Sequence, residues 1–411
     1  MLLFVYCRTS ITNGEFLVNR CFFATECIAL KYYMECKFIQ HGISLSYEQV
    51  VKPCCLWKVS PEWATSNQLA TTNLVTWHKS PQVLEKKQIL DNDQWPTDCN
   101  LCERIEDQGR ADSMRGNGNH SYADYKDDDI TLEIRPGNTC NFACQTCWPE
   151  ASSRVAQYHS QAGLIDIKNL DSRRMDDFEF LLPIADRIRN VVLLGGEPFY
   201  DKACLKFLDW AQKNLKSSIM MFTNGSVVDL DFLKSYPGKI TVIFSIDAVG
   251  RAAEYVRYGI VWEEFLANYL KVRALSNVEV RVNITLSVYN YSLVEDVIAM
   301  MCESWPSVVT FSTPRIDYLR ESSIPQNLRQ NVISSLEQAV RNLESTEIES
   351  GQKSNAINAV VSIINNLKQV PYNLVNHQQL LDFILKMDRL KGVNAEDYSE
   401  FLGQLIQQEV S

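Results

Sequence analysis

The chain has 411 residues, 46% of them hydrophobic and 22% charged, with 40 basic against 50 acidic side chains and a formal net charge of −10. That length allows two or three domains with a sizeable core, in the composition range of soluble globular proteins. The acidic balance argues against nonspecific nucleic-acid binding, because no basic excess is available to neutralise phosphates, and no apolar run approaches the ~20 residues that span a bilayer.

Thirteen cysteines are many for such a chain. A disulfide framework is the usual reading in small secreted domains. The opening Met1-Leu-Leu-Phe-Val-Tyr is too short for a signal-peptide core and is followed by Cys7 and Arg8. The thiols are therefore read as reduced and cytoplasmic, several of them as metal ligands. Residues 1–33 show no period and Met34 offers an alternative start, so they are read as an extension without assigned function.

The pattern sharpens over residues 34–125. Cys36-Lys-Phe-Ile-Gln is strand-like. Val51-Lys-Pro-Cys54-Cys55-Leu-Trp57 and Trp95-Pro-Thr-Asp-Cys99-Asn-Leu-Cys102 follow. A C-x2-C turn pinches two thiolates onto one metal. Cys36, Cys54 or Cys55, Cys99 and Cys102 together make a candidate four-thiolate site. A zinc ribbon-like structural site, or plain buried cysteines, are the other readings. Residues 103–129 read as a linker: Glu103–Arg115 is polar and helix-compatible, and Lys126-Asp-Asp-Asp is a charged turn.

Ile130-Thr-Leu-Glu-Ile134 then reads as a strand, leading into Cys140-Asn-Phe-Ala-Cys144-Gln-Thr-Cys147-Trp148. Three cysteines at C-x3-C-x2-C on one loop suit an iron–sulfur cluster with one iron left open, whereas electron-transfer clusters take four. A zinc knuckle is the competing reading, but zinc sites close with a fourth Cys or His and no His lies in the loop. Pro149–Ala162 and Phe178–Ile188 are helix-patterned. Asn190-Val-Val-Leu-Leu194 is a buried strand ending in Gly195-Gly196-Glu197-Pro198, where glycines permit close backbone approach and a carboxylate suits an ammonium group.

The alternation continues with a helix over Lys202–Lys213 and a strand from Ser218 to Phe222 ending in Thr223-Asn224-Gly225. A helix at Leu230–Ser235 precedes the strand Ile240–Phe244 with Ser245 and Asp247 beyond it. Helices over Tyr255–Tyr258 and Trp262–Ala274 precede a long strand, Val278–Val288, containing Asn283 and Thr285. A helix at Leu293–Cys302 and a strand at Val308–Ser312 complete the series. Such spacing implies parallel βαβ units, six of which suit an open (β/α)6 partial barrel with ligands at the C-terminal strand edge. The cysteine loop, Glu197, Thr223, Asn224, Ser245 and Asp247 all fall at that edge. Asp247 also reads as a helix cap, and Asn283 and Thr285 as satisfied sheet residues. Asn327–Leu343, Ala356–Leu367, Gln378–Leu390 and Ala395–Gln408 are helix-patterned and read as a cap on the barrel.

Cys140–Cys147 after a first strand, followed by Gly195-Gly196-Glu197-Pro198, resembles the radical S-adenosylmethionine (radical SAM) superfamily. The resemblance implies that Cys140, Cys144 and Cys147 ligate a [4Fe-4S] cluster. S-adenosylmethionine would chelate the open iron, and reductive cleavage of its sulfonium would give a 5′-deoxyadenosyl radical. The Gly-Gly-Glu-Pro turn is implied to meet the amino group of S-adenosylmethionine. Thr223-Asn224-Gly225 and the Ser245-x-Asp247 pair match further cofactor contacts, and Asn283 would approach the ribose or carboxylate. Arg257-Tyr258-Gly259 stands where many peptide-modifying members carry Arg-Gly. The stretch with Cys36, Cys54, Cys55, Cys99 and Cys102 is similar to the SPASM or twitch auxiliary-cluster region, with two departures. It precedes the core, and its cysteines suffice for one second [4Fe-4S] cluster, or zinc, but not two.

The expectation is four regions: the 1–33 extension, an auxiliary-cluster region at 34–125, a radical SAM core at 126–320 and a helical segment at 321–411. The expected reaction is hydrogen abstraction from a peptide or protein. A small-molecule or nucleotide-pathway substrate, and a noncatalytic metal-stabilised binding module, are the alternatives. Flavodoxin or ferredoxin would donate the electron. No substrate-reacting side chain is assigned.

Overall fold

The structure, a computed structural model, describes residues 35–107, 115, 122, 124–169, 174–304, 308–345 and 350–408. The 1–33 extension lies outside these. Seven parallel strands make one sheet: β1 Gly42–Ser46, β2 Ile130–Arg135, β3 Ile188–Leu193, β4 Ser218–Thr223, β5 Ile240–Ser245, β6 Val278–Thr285 and β7 Val308–Ser312. Their spatial order follows the chain, β1 to β7. Six came from the alternation read above. The seventh, β1, is contributed by the cysteine-rich region and pairs Ser44 with Glu133 and Ser46 with Arg135.

Along β2 the burial alternates, with Ile130, Leu132 and Ile134 buried and Thr131, Glu133 and Arg135 only partly so. A period of two directs these sets to opposite faces. Thr131 and Glu133 line an inner cavity of about 930 Å³, whose wall runs from Gly42 on β1 to Arg281 on β6. One cavity touching both strands requires the sheet to curl around it. β1 and β7 do not pair, so the barrel is open.

Cys36-Lys-Phe-Ile-Gln, expected as a strand, is instead a short helix over Lys37–His41. Its Phe38 and Ile39 are adjacent, and Cys36 C=O accepts from Ile39 N–H at 3.2 Å, closing a turn that a strand cannot make. The Phe178–Ile188 helix is 3-10 over Glu179–Arg187, because Pro183 inside it lacks the N–H of a regular ladder. The helix after the cysteine loop starts only at Ser153, where the Ser152 side chain accepts from Val155 N–H. The long sixth strand stops at Thr285, after which Leu286 and Val288 N–H donate to Ser312 and Leu319 carbonyls. Helices Gln326–Ser345, Ser350–Gln369, Leu374–Lys391 and Glu400–Ile406 follow the sheet. Their buried Leu336, Val360, Ile384 and Leu402 join the same hydrophobic core as the strands.

Candidate functional site

The three loop cysteines stand at the C-terminal strand edge, each partly exposed and unpaired with any other cysteine. Burial pushes the Cys140 thiol up to about 12 and raises Cys144 and Cys147, and neighbouring thiols add to the rise at Cys140 and Cys147. The loop is held from four sides. Ala143 and Gln145 N–H donate to the Tyr258 and Val256 carbonyls, both at 2.8 Å. Gly259 permits that contact: its φ is +111°, and a Cβ there would sit 2.9 Å from the Phe142 ring. Thr139 N–H donates to Asp201 Oδ2 at 2.7 Å, while Asp201 Oδ1 caps the helix starting at Lys202.

Gly195 and Gly196 make the third support. A Cβ on Gly196 would lie 2.1 Å from the Thr139 carbonyl oxygen. The close approach expected toward a ligand is thus an approach to the loop itself. Glu197 N–H donates to the same carbonyl at 3.0 Å. The Glu197 carboxyl is fully buried and turned from the cleft, accepting from Thr223 Oγ1 at 2.7 Å and Asn224 N–H at 2.6 Å. Burial pushes it up to about 7, against the pull of those donors. Pro198 is buried beside it. Asn224 in turn donates through Nδ2 to Asn141 Oδ1 at 2.9 Å and to Cys140 Sγ at 3.7 Å.

Asp247 is likewise fully buried, accepting from Arg257 Nη1 at 2.8 Å and Thr285 N–H at 2.7 Å. Its ion pair sets the Arg257 guanidinium beside Cys144 and Cys147, and the negative groups around it hold Arg257 above its ordinary range despite burial. Arg257 Nε is buried without a partner.

The fourth support comes from the last long helix. Lys391 is buried, and its ammonium donates to Ala143 C=O at 2.8 Å and Gln145 Oε1 at 2.9 Å. It faces the Tyr158 and Tyr258 rings at 5.7 and 5.1 Å. Burial lowers it to about 8, against the pull of nearby Cys144 and Asp388. Lys391, Asp201 and Asn141 were not singled out in the sequence. Only a lysine in a helix's last turn marks Lys391 locally, and that is ordinary dipole complementation.

Cys140, Cys144 and Cys147 share a cleft of about 420 Å³ with Gly195, Gly196, Thr223, Asn224, Ser245, Asn283 and Thr285. The structure thus brings together most of the expected site, with Glu197, Pro198 and Asp247 behind its wall. Asn283 is tied to Ser312 and Thr310. Among the described residues no fourth cysteine, and no His, Asp or Glu, lines the cleft. Three thiols with no fourth protein ligand fit a cluster that keeps one iron open. Among the described residues, no three His, Cys, Asp or Glu converge tightly enough for a single metal ion.

Cys36, Cys54, Cys99 and Cys102 line a second pocket with Trp57, Trp95 and Arg115. Burial raises Cys36, Cys54 and Cys99, and the cysteines of this group raise one another further. Cys55 points elsewhere, into a cavity with Glu133 and Arg315.

No protein-family model matches this chain. No curated protein matches it. Among solved structures it is similar to native anSMEcpe with bound AdoMet, at 19% identity over 51% of this chain and 59% of that one, with a TM-score of 0.36. It is also similar to Streptococcus suis SuiB bound to S-adenosylmethionine, at 14% identity over 63% of each chain and a TM-score of 0.37. SuiB bound to precursor peptide SuiA matches at 15% identity over 60% of each chain and a TM-score of 0.37. The chain spans about three fifths of the length of the structures it matches. Among the described residues no helix is long and apolar enough to cross a membrane.

Proposed function

We propose that this chain is a radical SAM enzyme. The observation that carries the reading is the cleft at the strand edge, which presents Cys140, Cys144 and Cys147 and, among the described residues, no other Cys and no His, Asp or Glu. A [4Fe-4S] cluster held there, with S-adenosylmethionine at its open iron, would supply the electron that cleaves the sulfonium and the radical that abstracts hydrogen from a substrate. The chain's own part is positioning and exclusion of water. Asn224 donates to Cys140 Sγ, and Arg257 and Lys391 place two buried cations beside Cys144. Both offset the negative charge of a thiolate-bound cluster. Glu197 acts from behind the wall by fixing the Thr223-Asn224 turn. Ser245, Asn283 and Thr285 offer the polar groups on the opposite wall.

Cys36, Cys54, Cys99 and Cys102 are the proposed ligands of a second [4Fe-4S] cluster, with Cys55 outside the set. A tetrahedral zinc held by the same four thiols is the alternative. A peptide or protein is the proposed substrate. The cleft shares wall residues with two further cavities, through Arg135 and Arg315 on one side and Phe222 on the other, which gives room for an extended ligand.

Anaerobic reconstitution followed by reduction with dithionite tests the reading. The wild-type chain is expected to release 5′-deoxyadenosine from S-adenosylmethionine, and Cys144→Ala to release none. No product from the wild type, or equal product from both, overturns it.

A further inference from the structure

Beside the cleft lies a polar cavity of about 370 Å³, sharing Arg135, Trp148, Leu194 and Arg315 with it. Lys52 lines this cavity and is only 9% exposed. Its backbone is fixed to β1, with Lys52 N–H donating to Ser44 C=O at 3.0 Å and Lys52 C=O accepting from Ser44 N–H at 2.7 Å. Its ammonium has no carboxylate or hydrogen-bond partner among the described residues. Arg135 Nε is buried and also without a partner. Arg315 stacks over the Trp148 ring at 4.5 Å and makes no ion pair among the described residues. Both arginines line this cavity together with Lys52 and Cys55.

Among the described residues no carboxylate of the cavity forms an ion pair with these cations. Glu133 is engaged by the Ser44 hydroxyl at 2.8 Å and by Cys55. Glu48 and Glu150 are exposed at the mouth, and Glu48 accepts from the Ser46 hydroxyl at 3.2 Å. The buried, unpartnered Arg135 Nε is costly, and the cost is offset when an anion enters. Two guanidinium forks beside a point-charge ammonium suit the oxygens of a carboxylate or phosphate.

We infer that Lys52, Arg135 and Arg315 form an anion subsite that holds a carboxylate or phosphate group of the substrate next to the cysteine cleft. Its assignment to the substrate rests on the proposed radical SAM reading; the binding itself does not. The substrate is then an acidic one, its anionic group anchored in the side cavity while the remainder reaches the cleft past Arg135 and Trp148.

Isothermal titration calorimetry on the anaerobically reconstituted full chain tests this. Inorganic phosphate is the probe in one arm and N-acetylglycine in the other, with potassium chloride at matched ionic strength as the control. Saturable binding of one probe identifies the anion source. Lys52→Met and the exposed-site variant Arg315→Gln are each expected to weaken it roughly ten-fold, and Lys52→Arg to restore it. No saturable heat from either probe, or unchanged affinity in both Lys52→Met and Arg315→Gln, overturns the inference. The measurement involves no turnover. Its failure leaves the deoxyadenosine result standing, and failure of that result leaves this one standing.

Discussion

Glu197 shows how one residue's chemistry differs from its motif. Gly195-Gly196-Glu197-Pro198 suggested a carboxylate facing an ammonium, and here the Glu197 oxygens accept from Thr223, Asn224 and Phe199. Gln at this position keeps one acceptor but turns an amide N–H₂ toward a second donor. Glu197→Gln is therefore expected to cost about 1–3 kcal/mol in urea unfolding. The pH dependence has a definite sign. The folded carboxyl titrates at about 7, above the unfolded value of about 4.3. The folded chain keeps a proton that the unfolded chain releases, so this contribution is complete below about pH 4.3 and is lost as pH rises toward 7. The loss amounts to about 3 kcal/mol. Unfolding curves across that range are expected to slope downward in the wild type and to flatten in Glu197→Gln. A wild-type profile as flat as the variant's shows that the carboxyl is ionised throughout.

Among the elements, the strands were legible because each is a short apolar run closed by polar or glycine residues, as in Val191–Gly195 and Ile240–Ser245. Element ends were less so. The Ser152 cap set one helix start and the N–H that Pro183 lacks made another helix 3-10, neither of which periodicity registers. The choice between Cys54 and Cys55 was closed to the sequence for a geometric reason: successive side chains diverge, and only the folded backbone fixes which faces the pocket. The bracing of the cysteine loop by Leu374–Lys391 was also hidden, since Lys391 and Ala143 lie 248 positions apart. That brace is testable. Lys391→Met keeps the apolar stem but leaves the Ala143 carbonyl unpaired in a buried site, which should cost about 1–3 kcal/mol. Iron is expected to leave the variant faster than the wild type in a chelator challenge. Equal iron loss and equal unfolding midpoints would remove the loop-bracing role.

Across the whole molecule, the cysteine-rich region and the sheet share a structure. β1 covers the edge of β2, and Ile43 and Leu45 enter the core that also holds Ile130, Leu132 and Ile134. Removing residues 1–125 leaves β2 as an unpaired edge with apolar surface uncovered, a template for aggregation. Such a truncated chain is expected in the insoluble fraction, or as high-mass species in size-exclusion chromatography. A monodisperse chain with native circular dichroism would show that the sheet closes without β1.

The Lys391 contact also orders events in time. Synthesis runs from the N-terminus, so all three loop cysteines are made well before the helix that pins them. Until that helix docks, the loop lacks one of its four supports, and closing so long a stretch of chain is entropically slow. The loop's final arrangement therefore waits on a residue 248 positions downstream of it.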